Sequence, residues 1–311
     1  MAAPDSRAER VAQARRSVLA VAAHDAATLV VGGADRLAWL NGLVTCDLVR
    51  RNDDEARYGL VVGRTGRVIV DLAVVVAAAD VLLTLPATAV DALRVHLDHY
   101  LVMEDAVVTP GEGYESWWLH GPRSAQVLAA AREAGAAGGL LDRTGLGGAL
   151  VVTPPAHSGA ARDAIARAVA VAGGAIGDDE AWEALRLERA VPRFGVDFDD
   201  KSYPQEAALE KVAVSFNKGC YLGQEVVCML ELRGHVKRKL TALVFDTPVV
   251  PARHAEVVDD RGEALGEITS AALSPTLGVA VGLAMVKRSH SEPGALVRVG
   301  GACAKVVERP A

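Results

Sequence analysis

The sequence predicts an α+β fold of mainly antiparallel sheets with helices packed between paired strands, followed by a small antiparallel β-barrel. Three observations carry this expectation. Strand-like segments come in pairs joined by glycine turns, with helix-period segments between the pairs. No G-x-G-x-x-G or Walker sequence is present, which weakens a doubly wound nucleotide-binding sheet. Beyond Lys239 the chain breaks into short strands punctuated by Gly and Pro. With 311 residues it can bury a substantial core without covalent staples.

Taken in order, residues 5–23 carry Arg7, Arg10, Arg15 and Arg16, interrupted by Glu9 and preceded by no apolar run. They read as an amphipathic helix capped by Asp5 or Ser6, not as a signal peptide. A strand is expected at 28–31 and a turn at Gly32-Gly33. A helix is expected at 35–48, with Leu37, Leu40, Leu43 and Val44 on one face. Strands at 58–62 and 67–77 flank Gly63-Arg64-Thr65-Gly66, a hairpin signal. A strand at 81–85 and a helix at 88–101, with Val90, Leu93, Leu97 and Leu101 at helical spacing, complete a first unit. A similar second unit has strands at 107–108, 117–120 and 150–153 and helices at 122–134 and 160–172. The glycine- and alanine-rich stretch 134–148 reads as a surface loop. Two such halves facing each other create a cleft. A helix at 179–189 follows, and strands at 241–245, 256–258, 263–270, 279–286, 295–299 and 303–307 predict the barrel. The domain boundaries expected are 1–238 and 239–311.

The formal net charge of -6 argues against a general nucleic-acid coat. The four cysteines, Cys46, Cys220, Cys228 and Cys303, are widely spaced with no C-x-x-C pair. That fits a reducing compartment and offers neither a disulfide framework nor the ligand spacing of a zinc or cluster site. The apolar run 68–79 is short and broken by Asp71, so no membrane span is expected. The expectation is a cytoplasmic protein without stable nucleic-acid or membrane binding.

Three places concentrate chemistry. Lys218-Gly219-Cys220-Tyr221-Leu222-Gly223-Gln224-Glu225 packs a cation, a thiol, a phenol, an amide and a carboxylate between two permissive glycines, and feeds a short helix or strand. An ammonium two residues from a thiol favours thiolate, so Lys218 and Cys220 form a candidate reactive pair. Asp71 interrupts an apolar strand, which is costly unless the carboxylate is paired or faces a cleft. Arg186 and Glu188 lie two apart near a helix end and cannot share a face. Arg233, Lys237 and Arg238 form a cationic cluster suited to a carboxylate tail or a phosphate.

These runs carry a resemblance. The stretch from Lys218 to Glu225 is similar to the K-G-C-[YF]-x-G-Q-E signature of the YgfZ family, folate-binding relatives of the glycine-cleavage T-protein (aminomethyltransferase) that support iron-sulfur enzymes. The run from Leu185 to Asp197 resembles the L-R-x-E-x-G-x-P-x-x-G-x-[DE] pattern of T-protein relatives, with Ala190-Val191 where the pattern has glycine. Gly66 to Leu72 is similar to their G-G-x-x-D-D-L run, with Val70 in place of the first acid. Pro204-Gln205-Glu206 and the run Glu231 to Leu240 resemble further elements around the signature.

The resemblance implies an aminomethyltransferase-like fold with a C-terminal barrel and tetrahydrofolate, or a one-carbon derivative, as cofactor. It implies Glu188 on the pterin edge, whose paired donors suit a carboxylate, and Asp71 near the folate's reactive nitrogens. Arg186, Tyr221, Gln224, Glu225, Arg233 and Arg238 become further folate contacts, with Cys220, Lys218 and Asp71 as the reactive set. Cys220 is left as a reversible thiol, a transient cluster or sulfur contact, or a one-carbon acceptor. The function implied is assembly or repair of iron-sulfur enzymes, including tRNA-modifying ones, with those enzymes or assembly proteins as partners. The alternative is a folate-dependent aminomethyltransferase, which the loss of an acid at Val70 puts in question.

Overall fold

Alternation along one strand, Val68–Val76, sets the architecture of the N-terminal region. Successive strand side chains point to opposite faces. Val70, Leu72 and Val74 enter a core with Leu40, Leu93 and Leu97 from the helical side. Ala73 and Val75 instead meet Leu150 and Val152 of a second sheet. The strand is therefore covered on both faces, and its near-continuous apolar run follows from that.

The computed structural model describes residues 7–50 and 52–311. Its first sheet runs in the order Arg57–Val62, Val68–Val76, Val81–Pro86, Ala26–Gly32, Val107–Pro110, and every pairing in it is antiparallel. The second runs Ala175–Gly177, Leu19–Ala22, Glu115–His120, Gly148–Thr153, Ala137–Leu140, with Leu19–Ala22 parallel to Ala175–Gly177 and the other pairs antiparallel. Helices Arg36–Asn41 and Val90–His99 cover the first sheet, and Ser124–Glu133 and Ser158–Ala172 the second. The two sheets pack face to face through Ala73, Val75, Leu82, Leu150 and Val152. Six strands from Arg238–Phe245 to Ala302–Val307 close the C-terminal barrel around Leu243, Phe245, Ile268, Val286 and Val306. Its outer residues Leu240, Leu283 and Met285 pack on Leu187, from the helix Asp179–Glu188. The mainly antiparallel α+β fold and its barrel are as the sequence predicts.

Several boundaries differ, each for a physical reason. The cap expected at Asp5 or Ser6 lies outside the described residues, and the helix Arg7–Arg16 stops well before residue 23. Leu19–Ala22 leaves it as an inner strand of the second sheet, between Ala175–Gly177 and Glu115–His120. The helix expected at 35–48 ends at Asn41: the Thr45 amide turns to the Leu60 carbonyl of the first sheet, and the carbonyls of Asn41, Val44 and Cys46 accept from a lysine ammonium. Val107–Pro110 pairs with Ala26–Gly32, so it belongs to the first unit and not the second. The 134–148 stretch is ordered: it holds the strand Ala137–Leu140 and then a turn wound on the Asp142 carboxylate, which accepts from the amides of Thr144, Gly145 and Gly147. Partial burial works against that carboxylate, but the backbone donors outweigh it and hold its pKa below the usual range.

Candidate functional site

Asp71 occupies the inner face of its strand, at the end of the inter-sheet packing where a cavity of about 320 Å³ opens. Tyr58, Asp71 and Thr84 of the first sheet form one side and Trp118 of the second faces them. Trp182, Phe194 and Arg143 close the space, with Asp25 and Arg193 at the rim. Oδ2 of Asp71 accepts from the Tyr58 hydroxyl at 2.7 Å and lies 4.0 Å from Nη2 of Arg143. Oδ1 is buried and has no partner. Burial raises the Asp71 pKa, against the pull of the Arg143 charge and the Tyr58 hydrogen bond. The neighbouring Val70 points to the opposite, helix-covered core. An acid there would be buried in hydrocarbon, so losing it removes nothing from the cavity.

Arg143 is the main residue that the sequence reading missed. Its guanidinium lies 4.1 Å from the centroid of the Tyr58 ring and 5.5 Å from that of Trp118, a two-sided cation–π contact. The Asp142-centred turn presents it, and the pattern Asp142-Arg143-Thr144-Gly145 was the available signal: an Asx-type turn whose next residue is a cation. Behind the wall, His120 stacks on Trp182 at 4.5 Å. Burial, reinforced by Arg143, pushes its pKa down to about 3, so its imidazole is neutral at working pH. At the rim Arg193 pairs with Asp25 at 2.6 Å.

The Arg186–Glu188 run divides as its spacing requires. Arg186 reaches the cavity lining, but its guanidinium is committed to Glu183, to Asp197 at 2.8 Å and to the Val191 carbonyl. It is a framework cation. Glu188 turns to the barrel instead. Its carboxylate is fully buried and accepts from Arg15 at 2.6 Å, Ser274 at 2.5 Å, and the Thr276 amide and hydroxyl at 3.0 and 2.9 Å. With that acceptor capacity used and no place in the cavity lining, the assignment of Glu188 to a pterin edge is corrected to a fastening between helix and barrel.

The 218–225 signature is likewise mostly framework. Lys218 donates to the carbonyls of Asn41, Val44 and Cys46 at 2.6, 2.8 and 2.7 Å. Burial pushes its pKa down to about 8. All three ammonium protons are spent on backbone, while Cys220 is exposed, so the expected Lys218–Cys220 reactive pair is corrected. Tyr221 is buried with Tyr58, Val62 and Val227. Gly223, at φ 77°, starts the helix Gln224–Leu232. It packs so closely on the 63–66 hairpin that an added Cβ would lie 2.4 Å from the Gly63 carbonyl oxygen. Gln224 is half-buried and Glu225 exposed. Arg233 and Lys237 are exposed, and Arg238 pairs with Glu206 at 3.2 Å. None of these residues lines the Asp71 cavity.

Comparison with known proteins agrees with this architecture. Residues 3–137 match the GCVT N-terminal domain family, and residues 238–311 match the glycine cleavage T-protein C-terminal barrel domain family. Over 134 residues, 42% of the chain, it is 36% identical to 36% of the aminomethyltransferase of Rippkaea orientalis. Over 165 residues, 52% of the chain, it is 31% identical to 20% of the trimethylamine-oxide aldolase of Ruegeria pomeroyi. The chain spans about a third of the length of the curated aminomethyltransferases it matches. The fold superimposes on the crystal structure of glycine cleavage system aminomethyltransferase T from Bartonella henselae with a TM-score of 0.82 at 20% identity, covering 100% of this chain and 90% of that one. Among the described residues no helix is long and apolar enough to cross a membrane. In domains and in fold, the chain is T-protein-like.

Proposed function

From a chain that carries both T-protein domains, we propose that the Asp71 cavity binds tetrahydrofolate and that the protein handles a one-carbon unit on it. The observation that carries this is the Asp71 carboxyl: the residue lines an aromatic-walled cavity, and its Oδ1 is buried there without a partner. An unmet acceptor of that kind costs about 1–3 kcal/mol unless a ligand satisfies it. The residues present suit a folate. Tyr58, Trp118, Trp182 and Phe194 offer flat apolar surface to a ring system, Asp71 accepts an N–H, and Arg143 and Arg193 supply cations for a carboxylate.

Tetrahydrofolate, when bound, supplies the nitrogens that carry a one-carbon unit. The chain's own part is orientation and proton handling. Because Tyr58 already bonds Oδ2, Oδ1 is the oxygen left to give or take a proton. Burial draws the carboxyl toward its protonated form and the Arg143 charge limits that shift, which suits a group that must work in both states. Aminomethyl transfer is the finer reading that the relatives' names favour. Val70 no longer counts against it.

A second reading, assistance to iron-sulfur enzymes including tRNA-modifying ones, is favoured by one observation: Cys220 of the YgfZ-like signature is exposed and available to a partner. Anaerobic calorimetric titration with tetrahydrofolate tests the shared premise. Saturable binding that weakens in Asp71→Asn and survives in Glu188→Ala supports the cavity, and absence of binding to the unaltered protein refutes it. Activity with an aminomethyl-loaded lipoyl carrier then favours the transferase. Loss of iron-sulfur enzyme activity in cells carrying Cys220→Ser, with folate affinity intact, favours the second reading.

A further inference from the structure

Asp197 stands where the cavity wall meets the barrel. Its side chain is fully buried and receives four donors. Arg186 Nη1 at 2.8 Å and the Arg193 amide at 2.9 Å reach Oδ2, and the hydroxyls of Thr269 and Ser270 at 2.6 and 2.5 Å reach Oδ1. Consecutive residues of a regular strand point to opposite faces, so Thr269 and Ser270 would not ordinarily meet one carboxylate. The strand Ala264–Leu273 shifts register against Ala280–Lys287 between Ile268 and Ser270, and this bulge re-aims the two side chains.

The loop between these anchors is the cavity wall. Residues 192–196 all line the cavity. Arg186 also holds the Val191 carbonyl at 3.3 Å, and the amides of Val196 and Asp197 return to the Arg193 carbonyl. Both ends of the loop are thus tied to one carboxylate that the barrel grips. Glu188 makes a comparable helix-to-barrel link through Ser274 and Thr276 but has no part in the cavity.

We infer that the Thr269–Ser270 bulge positions the cavity wall through Asp197, making the C-terminal barrel a determinant of what the Asp71 cavity binds. The ligand named in the test rests on the tetrahydrofolate reading, whereas the positioning itself does not. Thr269→Val/Ser270→Ala is compared in the full chain with Ser274→Ala, which removes one of the three barrel donors of the other link. Two readouts are taken: amide hydrogen exchange in 193–197 and calorimetric affinity for tetrahydrofolate.

The double variant is expected to exchange at least about tenfold faster in 193–197, local opening being governed by such tethers, and to bind the folate about tenfold more weakly. Ser274→Ala is expected to leave both readouts unchanged, and Thr269→Ser, which keeps a hydroxyl, to retain the parent values. If the double variant does not fold, Ser270→Ala alone takes its place. Unchanged exchange in the bulge variant, or an equal change in Ser274→Ala, overturns the inference. If the parent protein takes up no tetrahydrofolate, the ligand assignment fails and the exchange data alone decide the positioning role.

Discussion

The Asp71 carboxyl and the Lys218 ammonium hold their polar atoms in opposite ways. Asp71 keeps a buried oxygen with no partner, beside an arginine whose nearest carboxylate contact is 4.0 Å. Lys218 has all three protons engaged within 2.8 Å, and Glu188, also drawn from a family-like motif, is saturated by Arg15, Ser274 and Thr276. The difference teaches that density of reactive residue types in sequence does not mark a ligand site. Unspent hydrogen-bonding capacity on a residue that also lines a cavity does: the Tyr221 hydroxyl is buried without a partner too, but it borders no part of the Asp71 cavity.

Substitutions break or sharpen that contrast. Asp71→Asn carries the largest expected effect on function, a loss of tetrahydrofolate affinity of about tenfold or more by calorimetry. The same change has a pH signature. A carboxyl whose folded pKa is raised contributes stability that is fully present below its unfolded value and is lost as pH rises through the folded value. Asp71→Asn therefore melts higher than the parent at pH 8, and the gain fades toward pH 4.

On the framework side, Lys218→Met leaves three buried carbonyls unpaired, and denaturant titration is expected to show a loss of about 2–4 kcal/mol. Glu188→Ala strands Arg15 and two hydroxyls at a cost of about 2–3 kcal/mol, again with folate affinity kept. A folate affinity that collapses in Glu188→Ala while stability holds would reverse the contrast. Gly223→Ala combines a left-handed backbone with a blocked Cβ and costs about 1–3 kcal/mol. Cys220→Ser, at an exposed thiol, shifts stability by less than about 0.5 kcal/mol.

Much of the fold was legible because period and punctuation are local. The Gly63–Gly66 turn, the helix at Asp179–Glu188 and the barrel strands follow from alternation, helical spacing and turn residues. Asp71 was legible for the same reason: a charge in an apolar strand needs an explanation. What escaped depended on distant partners. No local pattern says that Lys218 gathers the carbonyls of Asn41, Val44 and Cys46, that Glu188 faces Ser274, or that the Asp142 turn carries Arg143 onto Tyr58. Nor does the family-like motif say which of its charges faces the cavity, since two positions on one helix end turn to different neighbours.

The inner placement of Leu19–Ala22 constrains how the molecule is made. One of its partners, Glu115–His120, leaves the ribosome long after it, and the other, Ala175–Gly177, later still. At ~5–20 residues per second the strand waits roughly 10–30 s before both edges are covered. During translation the first sheet is finished from its own contiguous segments, whereas the second remains open around an apolar strand synthesised before any of its neighbours. The helix Arg7–Arg16, made just before this segment and packing Val11 and Ala14 on Leu19 and Val21, is the neighbour placed to cover it first.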